Sequence, residues 1–196
     1  MFKRIVAASA LFALSIGTVA KASVTEPKGL NASHMRLWNT LKEQGVRPHV
    51  NPAPVCGSPN APYMGVYFYA QSAGYPILAV CQDNRKPYTS TEVEWTANDL
   101  DTLRHESVHY LQDCIVDNDA KMSMHPIHDG VGPGPGPYTY MDVKRALGPA
   151  KTWQIGEGYK SQGAETVRLE HEAFLMAGTM SANDIAQIIE RACPVK

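Results

Sequence analysis

Polar and apolar positions follow three patterns along this chain, and each predicts a different kind of segment. Residues 5–20 are nearly all apolar or small, without a repeat. In residues 32–44, Met35, Leu37, Trp38 and Leu41 recur at roughly helical spacing and Gly45 supplies a stop, which predicts a first helix. Residues 47–62 hold five prolines and predict extended loop. Residues 63–70 and 76–81 are rich in β-formers and predict two strands, joined by 71–75 as a hairpin connection.

A longer helix is predicted from Thr96, where Thr96 and Asp99 have capping-box spacing. Along it Leu100, Leu103, Val108, Leu111 and Ile115 form one apolar sector. His105 and His109 project from the opposite side, toward a cleft, accompanied by Asp101 and Gln112. Residues 163–178 predict another helix, with Thr166, Val167, Leu169, Ala173, Phe174, Met176 and Ala177 on a broad apolar side. A last helix is expected over 185–192, capped by Ser181 to Asp184, with Ile185, Ile188, Ile189 and Ala192 facing inward. The sum is an α+β chain: a small β-sheet or hairpin followed by a helical core.

Composition adds the cellular setting. Met1-Phe2-Lys3-Arg4, the apolar run behind it and Ala20-Lys21-Ala22 read as a signal peptide, residues 1–22, cleaved before Ser23. The run is short for a membrane span and no later stretch approaches that length. The remaining 23–196 suffices for a single domain, secreted or periplasmic, with no membrane attachment after cleavage. A formal net charge of −1 and no basic cluster argue against a nucleic acid partner. Cys56, Cys81, Cys114 and Cys193 all lie in the mature part. An exported chain with an even count predicts two disulfides, in any of three connectivities. Cys56–Cys81 would staple the β region and Cys114–Cys193 would tie the long helix to the C-terminus, and this pairing is favoured.

The candidate chemistry lies on the long helix. His105-Glu106-Ser107-Val108-His109 places two imidazoles one turn apart, a spacing that lets both reach one metal ion. Glu106 points roughly 80–100° away, at about 100° per residue, and can stand beside a metal-bound water without being a ligand. The cofactor expected is zinc, as Lewis acid, with Glu106 as the catalytic base. An exposed polar helix face is the bland alternative.

Two imidazoles require a third protein ligand, and Glu157, Glu165, Glu170, Glu172, His125, His128 and His171 are available. Glu170 projects into the apolar side of its helix, where a carboxylate is costly unless paired or coordinated. Glu172 projects with Arg168 and Leu175 and needs no partner beyond water. Helical geometry therefore favours Glu170, with Glu172 and the histidines as remaining alternatives, and a buried salt bridge to Arg104 or Lys160 as its structural explanation. His128, Tyr138, Tyr140 and Tyr159 are candidate oxyanion donors among which the pattern does not choose. Residues 125–137, with alternating Gly and Pro, predict a loop, either over the cleft or inert.

His105-Glu106-x-x-His109, followed by Glu170-His171-Glu172-Ala173 on a second helix, resembles the gluzincin branch of zinc metallopeptidases. The string Asn98 to Glu106 and Gln112-Asp113-Cys114 is similar to small secreted bacterial and phage-borne metallopeptidases. The resemblance covers about a third of the mature chain. It implies a zincin-like helical core, zinc on His105, His109 and Glu170, and a peptide or protein substrate, with the strand before the metal helix either the edge along which substrate pairs or an ordinary core strand. Many gluzincins carry Asp or Asn four residues after the ligand glutamate to hold the first histidine. That place is Phe174 here, so Asp101 or a backbone carbonyl is expected instead. Two rival readings share the residues: an exported binding module with a vestigial or structural metal site, and a hydrolase of cell-wall amides.

Overall fold

The computed structural model describes residues 26–57, 64–69, 75–115, 124–127 and 138–193. The expected signal segment, most of the hairpin connection, His128 and the Gly-Pro stretch lie outside the described residues. Within them the chain is α+β, with seven helices, one 3-10 turn and a three-stranded sheet. No helix among the described residues is long and apolar enough to cross a membrane.

The first helix, α1 (Ala32–Glu43), forms where expected, with the Asn31 side chain accepting from the His34 amide at its start. It buries Leu37, Trp38 and Leu41. The stretch expected as loop instead supplies strand β1 (Arg47–Val50) and a single helical turn, α2 (Ala53–Cys56). Pro48 is tolerated because β1 is an edge strand. The amides of Arg47 and Asn51 donate inward to the neighbouring strand, so the intervening even position turns its nitrogen outward. The two anticipated strands are β2 (Gly65–Phe68) and β3 (Ile77–Val80), paired antiparallel with Gly65 opposite Val80. β1 pairs parallel to β3, giving the order β1-β3-β2, with β2 at the other edge.

Beyond β3 the chain is anchored by side-chain amides that imitate a strand. Gln82, fully buried, accepts from the Val93 amide and donates to its carbonyl, both at 2.8 Å. Asn51 in turn bonds the Gln82 backbone amide, the Gln82 side chain and the Thr91 carbonyl. This network delivers the chain to the long helix, α3 (Ala97–Cys114), whose Thr96–Asp99 capping box forms in both directions. Leu103, Val108 and Leu111 face the main core.

Four helices follow: α4 (Tyr140–Leu147), α5 (Pro149–Tyr159), α6 (Ala164–Thr179) and α7 (Ala182–Ala192), the last with the expected Ser181–Asp184 cap. Neither α4 nor α5 was expected, although Thr139 and Asp142 form a capping box and Pro149 opens α5. Gly148 joins them at φ 80, a conformation that favours glycine. α6 crosses α3, while α7 packs on α1 and α3. Both favoured disulfides are present, Cys56–Cys81 and Cys114–Cys193.

A polar link joins α1 to α3 and α6. Arg104 donates to His34 Nε2 at 3.1 Å, to the Ala177 carbonyl at 2.9 Å and to Asp101 at 3.0 Å. His34 Nδ1 donates to Asn31 Oδ1 at 2.9 Å, so the ring is the neutral Nδ1–H tautomer. Burial, with the Arg104 guanidinium adding to it, lowers the His34 pKa to about 4.

Two measurements test this framework. Replacing Cys114 and Cys193 by alanine should lower the unfolding free energy by about 2–4 kcal/mol in urea titrations. The same change at Cys56 and Cys81 should cost less, because it opens 25 residues of separation rather than 79. Unfolded His34 takes up its proton near pH 6.5 while the folded ring resists until about pH 4, so the unfolded state binds more protons in that window. Stability should therefore fall as pH drops from 6.5 toward 4, and His34→Gln should flatten that slope in pH-dependent melts.

Candidate metal centre

Helix periodicity puts His105 and His109 on one face of α3, and α6 lies across that face. Their rings stand nearly perpendicular, with centroids 4.7 Å apart and the two Nε2 atoms 3.1 Å apart. Glu170 meets them from α6, with Oε2 at 3.3 Å from His105 Nε2 and Oε1 at 3.5 Å from His109 Nε2. All the ligand atoms of this group lie within 4.8 Å of one another. The cleft expected beside the histidines is covered: relative exposure is 1% at His105, 2% at His109 and 0% at Glu170.

A metal ion fits this arrangement on the chemistry of its donors. Both carboxylate oxygens of Glu170 are buried, and among the described residues the groups that face them are the two imidazole nitrogens and the Tyr159 hydroxyl, with no amide and no guanidinium. An ionised carboxylate removed from water is expensive, and convergent imidazole nitrogens lower the cost only in part. Burial alone would raise the Glu170 pKa, but the facing His109 and His105 hold it at about 2. Burial would likewise drive the proton from His109, but Glu170, aided by Glu106 and Gln112, raises its pKa to about 9. A cation at the same point takes the place of that proton. His105, His109 and Glu170 are thus a buried group able to hold a metal ion.

The remaining acidic and imidazole candidates are engaged elsewhere. His171 donates from Nε2 to the Thr152 carbonyl at 3.0 Å, away from the group. Glu157 pairs with Lys160, and Glu165 with Arg168. His125 is exposed. The salt bridge considered for Glu170 is not formed with either proposed cation, since Arg104 serves Asp101 and Lys160 serves Glu157.

Glu172 requires a correction. It was expected to be solvated, yet it is 4% exposed. Its Oε2 accepts from Gln112 Nε2 and from the Ile127 amide, each at 2.8 Å. The two-sided helix pattern fails here because α6 is buried on every face from Leu169 to Ala177.

The support expected for His105 also differs. Asp101 is paired with Arg104, and His105 Nδ1 has no hydrogen-bond partner. The ring instead packs on Phe174, with centroids 4.4 Å apart. His109 is held by polar contact, its Nδ1 lying 2.8 Å from Gln112 Oε1.

Glu106, between the two histidines, is 2% exposed, and its pKa is raised by burial against the opposing attraction of the imidazoles. Gly65 on β2 lies against it. A Cβ there would stand 2.6 Å from Glu106 Oε1 and 2.5 Å from Thr102 Cγ2, so only glycine lets the strand approach this closely. Among the candidate oxyanion donors, Tyr159 reaches the centre: its buried hydroxyl lies beside Glu170, and burial and then the Glu170 and Glu106 carboxylates raise its pKa. Tyr140 is exposed and stacks by its edge on His171, 6.0 Å away. Neither Gly65 nor the role of Phe174 was anticipated.

Compared with protein-family models, curated proteins and solved structures, the chain matches none of them.

Metal-free protein titrated with a divalent first-row ion should bind one equivalent, measured by elemental analysis and calorimetry. At a hundredfold excess over Kd, binding adds about 2.7 kcal/mol to stability. Glu170→Ala and His109→Ala should abolish the thermal shift, whereas Glu157→Ala and His171→Ala should retain it.

Proposed function

We propose that the chain is an exported zinc-dependent hydrolase, with peptides as its substrate class. The observation that carries this reading is the convergence of His105, His109 and Glu170 with Glu106 beside them. Three protein ligands are a catalytic complement, whereas structural zinc sites take four, and the described residues supply three. Two cysteine pairs held as disulfides accord with export. The gluzincin resemblance of the two helices points the same way.

The chemistry zinc supplies when bound is Lewis acidity, which acidifies a water and polarises a carbonyl. Glu106 takes the proton of the attacking water and returns it to the departing amine. Burial raises its pKa, which makes the carboxylate a stronger proton acceptor than a solvated one. Tyr159 offers its buried hydroxyl, beside Glu170, to the negative charge that develops on the carbonyl oxygen. β2, at the sheet edge with Gly65 against Glu106, is positioned for an extended substrate to lie alongside.

The near-complete burial of the three ligands favours one alternative, a structural metal in a non-catalytic binding module. Turnover of a fluorogenic peptide library by the zinc-loaded protein separates the two. In the hydrolase, Glu106→Gln retains one zinc and loses about 10²–10⁴ in kcat. A parent protein that binds zinc and cleaves neither peptides nor cell-wall amides overturns the reading.

A further inference from the structure

The two imidazoles of the metal centre are held by different means, and the difference singles out a pair of residues. His105 leans on Phe174 and has no polar partner at Nδ1. His109 enters a continuous buried chain of hydrogen bonds that runs from its Nδ1 through Gln112 to Glu172 and the Ile127 amide.

The direction of that chain follows from its chemistry. Gln112 is fully buried, and one end of its side-chain amide faces two groups that can only accept: the Leu169 carbonyl at 3.0 Å and the Glu172 carboxylate at 2.8 Å. The same Glu172 oxygen takes the Ile127 N–H. Turning the amide over would set its oxygen against both acceptors, which a buried site does not tolerate. The nitrogen must therefore point to Glu172 and Leu169, and the oxygen to His109. An amide oxygen accepts and never donates, so His109 Nδ1 carries a hydrogen and its Nε2 is the atom turned to Glu170. The anchor points add a second constraint. Leu169 and Glu172 flank Glu170 on α6, so one amide fixes both the ring of one ligand and the spacing to the helix bearing another.

We infer that Gln112 and Glu172 are positioning residues for the metal centre, a relay that presets the tautomer and orientation of His109 and the register of α6 beneath it. The inference rests on the metal centre proposed above. Removing partners of this kind typically costs about 10- to 100-fold in metal affinity.

The test compares Gln112→Met, which keeps the volume and deletes the amide, with Leu111→Ala, which removes core volume from the adjacent residue without touching the relay. Zinc affinity by chelator competition and the unfolding midpoint of the metal-free protein are measured for each. Gln112→Met should bind zinc at least tenfold more weakly than the parent and shift the visible bands of the cobalt-loaded protein. Leu111→Ala should lower the midpoint while leaving affinity within about threefold, since it removes packing but no contact to a ligand. Glu172→Met, which deletes one of the two anchors, should fall between. Should Gln112→Met not fold, Gln112→Asn makes the same comparison, its amide one methylene too short to span both partners. Affinity in these variants within threefold of the parent overturns the relay, as does an equal loss in Leu111→Ala. A parent that takes up no zinc overturns the relay and the metal centre together. A parent that binds zinc while Gln112→Met matches it removes the relay alone.

Discussion

Glu170 is a fully buried carboxylate, facing two imidazole nitrogens across about the diameter of an ion. The surrounding structure makes sense as a device for keeping it there. α6 is buried around its whole circumference at this level, α3 is clamped at one end by the Thr96–Asp99 box and at the other by a disulfide, and Arg104 ties α3 back to the α6 terminus. Each restraint is ordinary alone. Together they hold two helices with a buried carboxylate and two imidazoles between them.

The helices carrying this site were legible because their signals are local. Periodicity placed α3, α6 and α7, and side-chain oxygens at Thr96 and Ser181 marked two of their starts. Glu170 stood out as a charged residue in an apolar sector. The disulfide pairing could be favoured because each bond joins segments that the pattern already separated. What escaped depended on partners distant in sequence. β1 is four residues long, contains a proline and exists only because β3 offers it a parallel neighbour. Glu172 looked like a surface residue because its partner Gln112 is 60 positions away. α4 did carry a capping box and α5 a proline in its first turn, but Gly156 and Gly158 in α5 diluted the helical pattern.

Within the centre, the sequence logic of a carboxamide or carboxylate behind each histidine is met on one side only. Phe174 takes the place where a polar partner for His105 was sought, and an aromatic face constrains a ring by packing rather than by fixing which nitrogen carries the hydrogen. The centre therefore joins one electronically directed ligand to one sterically confined ligand. Gly65 shows the same economy on the opposite side, where a missing side chain brings backbone against the Glu106 carboxylate.

The two disulfides do not interleave: one closes between residues 56 and 81, the other between 114 and 193. In a chain made from its N-terminus, both cysteines of the sheet-side loop are present before the helical half is complete. The second bond has to wait for Cys193, so its closure comes after His105, His109 and Glu170 have all been synthesised, and the longer loop it closes encloses Glu170.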